Sequence, residues 1–140
     1  MKSVADFPRP GGKPVDRAAM LRVDQAGEYG ATRIYAGQLA VLGDRHPMSR
    51  VIAAMAGQEE RHRVHFDGMM AQRAVRPTLL QPVWHVAGFA LGAATAMLGP
   101  EAAMACTAAI ETEIDRHYRA QLEELGGTDP ELSEAIADFQ

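Results

Sequence analysis

Glu59 and His62 stand three residues apart in AGQEERHRVHF, residues 56–66. On a helix that spacing brings a carboxylate and an imidazole onto one face, where an anionic oxygen and a neutral nitrogen together suit a transition metal. Stepping by three and four through the segment gives Ile52, Met55, Glu59, His62, Phe66 and Met69, so the two polar residues interrupt an otherwise apolar stripe. Two other segments repeat the interruption. One runs Leu21, Glu28, Tyr35 and Leu42, with Ala31 and Leu39 filling in; the other runs Met104, Ala108, Glu111, Ile114, Tyr118, Leu122 and Leu125. Each stripe thus carries one carboxylate near its middle. A bare buried charge costs several kcal/mol even after relaxation, so three in one core require something positive among them.

Three arrangements would meet that requirement. The glutamates could rotate to the edge of their seams, solvated or paired with Arg22, Arg33 or Arg116. They could form a neutral, hydrogen-bonded core with raised carboxyl pKa values, an arrangement usually confined to one or two groups. Or they could hold metal, as in ferritin-like di-iron and di-manganese proteins, where two helices each give a glutamate and two others each give Glu-x-x-His. Glu28 and Glu111 match the single glutamates, and Glu59 with His62 matches one Glu-x-x-His. An isolated Glu-x-x-His is weak, but three coinciding seams favour the metal. Gly27, Gly30 and Gly37 lie inside the first of these helices, each costing up to about 1 kcal/mol relative to alanine, which implies either close helix contact or access for a ligand.

The elements that position these residues are helices. Of the 140 residues 47% are apolar and only 6% aromatic, with alanine, leucine and methionine prominent, so the class is all-α. A formal charge of -4 and the absence of a basic, aromatic stripe give no indication of nucleic-acid binding. The single cysteine, Cys106, reads as a small packing residue. Residues 1–15 are rich in proline and glycine and read as a flexible arm without a signal sequence; residues 16–140 read as one domain. Asp16 is placed to cap a helix to about Leu42, and Ser49 a second to about Val75. Gly99 and Pro100 divide a short apolar helix, about 83–98, from a longer one, about 101–125, and Thr128 with Glu131 forms a capping box for a fifth. The expected architecture is an antiparallel helical bundle with the short apolar helix inserted and the last helix incomplete.

RVDQAGEYGATRIYAGQLAVL, QEERH, VRPTLLQPVWHVAGFALGAATAMLGPEAAMACT and IETEIDRHYRAQL closely resemble the demethoxyubiquinone hydroxylases of ubiquinone biosynthesis, over roughly residues 17–140. The resemblance implies a ferritin-like bundle with a carboxylate-bridged site for two iron ions. It implies a monooxygenase that uses O2 to hydroxylate the ring of a polyprenylated demethoxyubiquinol, drawing electrons from the quinol or from NADH. By motif the metal ligands fall on Glu28, Glu59, His62 and Glu111, and the HY pair, His117 and Tyr118, becomes a candidate proton or electron relay. The family site uses four glutamates and two histidines; three and one are present, and the second Glu-x-x-His is expected beyond Gln140. A bundle lacking that helix should expose part of its core and be prone to homo-oligomerisation or helix exchange.

Residues 82–99, PVWHVAGFALGAATAMLG, are 18 residues without a formal charge, at the lower limit for spanning a bilayer. Length alone favours a buried core helix. The resemblance favours an interfacial segment, because a polyprenyl quinol must pass from the bilayer to the iron, and Trp84 suits the interface. The expectation is a peripheral membrane protein on the cytoplasmic face of the bacterial inner membrane, working beside other ubiquinone-biosynthesis proteins. The competing readings are a ferritin-like iron-storage or peroxide-detoxifying protein, and a non-catalytic, truncated helical form.

Overall fold

The computed structural model describes residues 15–140, so the first fourteen residues of the expected arm lie outside the described residues. Val15, the arm's last residue, packs against the core. Five helices follow, α1 (Arg17–Leu42), α2 (Ser49–Gln72), α3 (Gln81–Leu98), α4 (Pro100–Leu125) and α5 (Pro130–Phe139), with no strand among the described residues. Asp16 caps α1 as expected, its carboxylate accepting from the Ala19 amide at 2.9 Å.

Two other caps differ from expectation. Ser49 is inside α2 and its hydroxyl donates to the Gly43 carbonyl, tying the turn to the helix start. Asp129, not Thr128, caps α5 by accepting from the Leu132 amide at 3.2 Å, while the Thr128 hydroxyl donates back to Leu125. Pro130 explains the shift, since a proline is best placed in the first helical position and leaves Asp129 as the residue before it. α2 also stops earlier than Val75: Ala74 adopts a left-handed φ of 55°, and the Val75 amide wraps back to the Met70 carbonyl.

α1 is the central element. It packs against α2, α3 and α4, and α4 in turn meets α3 and α5. Hydrogen bonds pair Gln38 with Ala103, Tyr35 with Glu111 and Glu28 with Tyr118, so α1 and α4 run antiparallel. Two apolar clusters fill the bundle, one around Leu21, Phe66, Tyr118, Leu125 and Ile136, the other around Ala31, Ile34, Tyr35 and Ile52. The stripes on α1 and α2 pass from one cluster to the other through Glu28, Glu59 and His62. Ala108, expected in the α4 seam, is exposed; that end of α4 instead turns Ala103 and Thr107 toward Gln38 of α1.

α3 is not a buried core helix. Only Gly88, Gly92 and Ala96 are buried, and they form the face against α1. A Cβ on Gly92 would lie 1.9 Å from the Ile34 carbonyl oxygen, and one on Gly37 would lie 2.1 Å from that of Phe89, so the two backbones are in direct contact. The opposite face leaves Val83, Trp84, Val86, Leu91, Met97 and Leu98 exposed. Among the described residues, no helix is long and apolar enough to cross a membrane.

Candidate metal centre

Glu28, Glu59 and His62 converge from α1 and α2, and each offers a ligand atom within 4.8 Å of the other two. All three are buried, at 1%, 4% and 8% exposure. The His62 Nδ1 lies 3.7 Å from Glu28 Oε1 and 3.6 Å from Glu59 Oε2. The arginines that might have neutralised the carboxylates are engaged elsewhere: Arg22 donates to the Arg76 carbonyl, Arg33 to the His85 carbonyl, and Arg116 pairs with Glu113 on the surface. Edge pairing with these arginines therefore does not account for the buried acids.

Burial and the two carboxylates set the electrostatics of the cluster. Burial works to lower the His62 pKa, but the close approach and negative charge of Glu28 and Glu59 outweigh it and push it up to about 9. Burial raises the Glu59 carboxyl, with His62 opposing and Glu28 reinforcing the shift. Glu28 Oε2 and His62 Nδ1 are buried without a hydrogen-bond partner, so both are free to act as ligand atoms once His62 loses its proton. Two carboxylates and an imidazole match the oxygen and nitrogen donors that bind iron, and metal–ligand bonds of about 2.1 Å bring donors to roughly the separation seen here. The residues fit a metal ion.

Glu111 stands beside this group rather than within it. The Tyr35 hydroxyl donates to Glu111 Oε1 at 2.7 Å. Burial raises the Glu111 carboxyl, Tyr35 opposes the shift, and the charge of Glu59 adds to it, so the two carboxylates sense each other. On the other side the Tyr118 hydroxyl donates to Glu28. Burial, followed by the neighbouring carboxylates, pushes both tyrosine pKa values well above the ordinary phenol range, so both remain protonated donors. His117 is exposed and lines, with Glu28, a cavity between α1 and α4.

Fifty-seven per cent of residues are identical, over 126 positions, to a protein of Rhodospirillum rubrum called 3-demethoxyubiquinol 3-hydroxylase; the match covers 90% of this chain and 58% of that protein. The family model "Ubiquinone biosynthesis protein COQ7" matches residues 16–140. The chain belongs to this family. A human relative, called mitochondrial NADPH-dependent 3-demethoxyubiquinone 3-hydroxylase, is 53% identical over 125 residues, covering 87% of this chain and 57% of that protein. A Saccharomyces cerevisiae relative, called mitochondrial 5-demethoxyubiquinone hydroxylase, is 50% identical over 107 residues, covering 76% of this chain and 46% of that protein. The chain thus spans about half to three-fifths of the length of these COQ7-family proteins.

Two residues of the COQ7-family site region escaped the sequence reading. Asp24 lies one turn before Glu28, is 3% exposed, and has neither carboxylate oxygen hydrogen-bonded. Burial pushes its pKa up to about 7, with Gln121 opposing. A step of four residues back from Glu28 would have found it. Phe139 of α5 stacks on the His62 ring, centroids 4.0 Å apart and planes 17° apart; it lies well outside the three stripes and carried no sequence signal. Of the α1 glycines, Gly37 makes the close helix contact, whereas Gly27 is exposed and a Cβ there would meet nothing within 4 Å.

Proposed function

We propose that this chain carries the iron-binding part of a demethoxyubiquinol hydroxylase, an oxidoreductase that adds one oxygen atom from O2 to the ring of a polyprenylated quinol late in ubiquinone biosynthesis. The observation that carries this reading is the buried meeting of Glu28, Glu59 and His62 in a COQ7-family chain. These three residues and Glu111 would hold two iron ions, which when bound supply the activation of O2 and the electron transfer. Tyr35 orients Glu111 through its hydroxyl, and Tyr118 does the same for Glu28, so two of the three carboxylates are fixed before metal arrives. Phe139 limits rotation of the His62 ring and shields it from water. His117 and Tyr118 are adjacent on α4, one exposed and one bonded to Glu28, a placement suited to passing protons between solvent and the ligand shell.

A polyprenyl substrate requires access from a lipid surface, and the exposed apolar face of α3 would provide peripheral attachment. Electrons would come from the quinol or from a nicotinamide; the human relative's name includes NADPH dependence. The test is ring hydroxylation of a short-chain demethoxyubiquinol by iron-loaded protein, with Glu59→Ala as the paired variant. Turnover by the parent and none by the variant is expected. Turnover retained in the variant would refute the ligand assignment.

A further inference from the structure

A cavity of about 190 Å³ opens between α1 and α4, beside the metal cluster. Val23 and Ile114 form apolar walls, His117 and Gly27 stand at the solvent edge, and Asp24 and Tyr118 line the interior, where Glu28 also borders it. A cavity of about 150 Å³ holds benzene, so this volume suits one substituted aromatic ring and excludes an isoprenoid tail. The state of Asp24 marks it as a built site rather than a packing defect. Asp24 is almost wholly buried, with neither carboxylate oxygen in a well-formed hydrogen bond and only the Gln121 side chain acting on it as a donor, a costly state that a hydroxyl donor in the cavity would relieve. Gly27 is exposed at the mouth of the cavity, where a Cβ would meet no other atom, so its lack of a side chain leaves the entrance clear.

We infer that this cavity binds the quinol ring of the substrate, with a ring hydroxyl donating to the Asp24 carboxylate and the ring held between Val23 and Ile114. The inference rests on the function proposed above and adds where the ring sits and which residue recognises it. The position brings the ring against Glu28 and the Tyr118 hydroxyl, the side of the cluster facing α4. The tail would leave through the open mouth.

The test is calorimetric titration of iron-loaded protein with tail-less methoxyhydroquinone under nitrogen. Wild type should bind saturably, and Gly27→Leu, which lays a side chain across the mouth of the cavity without straining the helix, should bind roughly tenfold or more weakly with iron content unchanged. Gly68→Leu, on an exposed position of α2 with open space around it, should bind as wild type. Asp24→Leu supplies a second readout: it should lose affinity while melting at the same or a higher temperature, because an unpaired buried carboxyl is removed. Unchanged affinity in both Gly27→Leu and Asp24→Leu, or no binding by wild type, would overturn the inference. Turnover separates the two claims. Hydroxylation of a prenylated quinol by Gly27→Leu with wild-type KM overturns the cavity assignment and leaves the function intact, whereas ring binding lost in Gly27→Leu without any hydroxylation by wild type supports the cavity and refutes the function.

Discussion

His62 and the acids around it bind protons more tightly in the folded chain than free side chains do. Asp24 is raised from 3.8 to about 7, so the stability it contributes is present below its ordinary value and is lost as pH rises through about 7. His62 is raised from 6.5 to about 9, so its contribution persists below 6.5 and is lost as pH climbs through about 9. Both run the same way, and every tenfold gain in proton affinity on folding corresponds to about 1.4 kcal/mol. The metal-free protein should therefore melt at progressively lower temperature between about pH 5 and 9. Metal binding displaces the proton on His62, so the rise in melting temperature on adding Fe2+ should grow as pH climbs toward about 9. Thermal melts with and without Fe2+ check both trends. Tyr35→Phe should destabilise the metal-free fold by about 1–3 kcal/mol, because Glu111 loses its hydroxyl donor; denaturant unfolding measures it. At this scale the seam glutamates were legible because each broke an apolar stripe. Asp24 was not, because an acid at the polar margin of a stripe looks like a solvated one until the neighbouring helix covers it.

The helices were legible in their periodicity and their glycine and proline punctuation, and the errors fell at their ends. Ser49, Thr128 and Asp129 are all competent cap residues, and only the path of the chain decides which one turns its oxygen toward a free amide. Asp129→Ala should cost α5 about 0.5–2 kcal/mol from the cap, plus its ion pair with Arg73, and should show first as loosened Phe139 packing on His62. The glycine pattern of α3 announced a close contact without saying which face would be left open. Gly92→Ala places a methyl group against the Ile34 carbonyl and should lower the melting temperature markedly, whereas Gly68→Ala, with free space around it, should raise stability by about 0.5–1 kcal/mol. Melting curves of the two variants separate packing from propensity.

At the level of the whole molecule, the polar layer sits between two apolar clusters, and the helix that closes over α1 turns an apolar face outward. The most exposed residues of that face include Met97 at 76% and Leu98 at 81%. Replacing both with aspartate should weaken flotation with anionic phospholipid vesicles and leave helical content unchanged, since neither side chain is part of the core. The shape of the bundle followed from the lengths and seams of the helices. What lay on the outside of α3 did not, since an uninterrupted apolar helix reads the same whether protein or lipid covers it.

The claim on which the rest depends is that Glu28, Glu59 and His62 form a metal site. Anaerobic titration of the metal-free protein with Fe2+, followed by equilibrium dialysis and iron analysis, tests it directly. Tight binding by the parent chain, reduced by roughly tenfold or more in both Glu59→Ala and His62→Ala with folding intact, is the predicted result. Equal iron binding by the parent and both variants would contradict it.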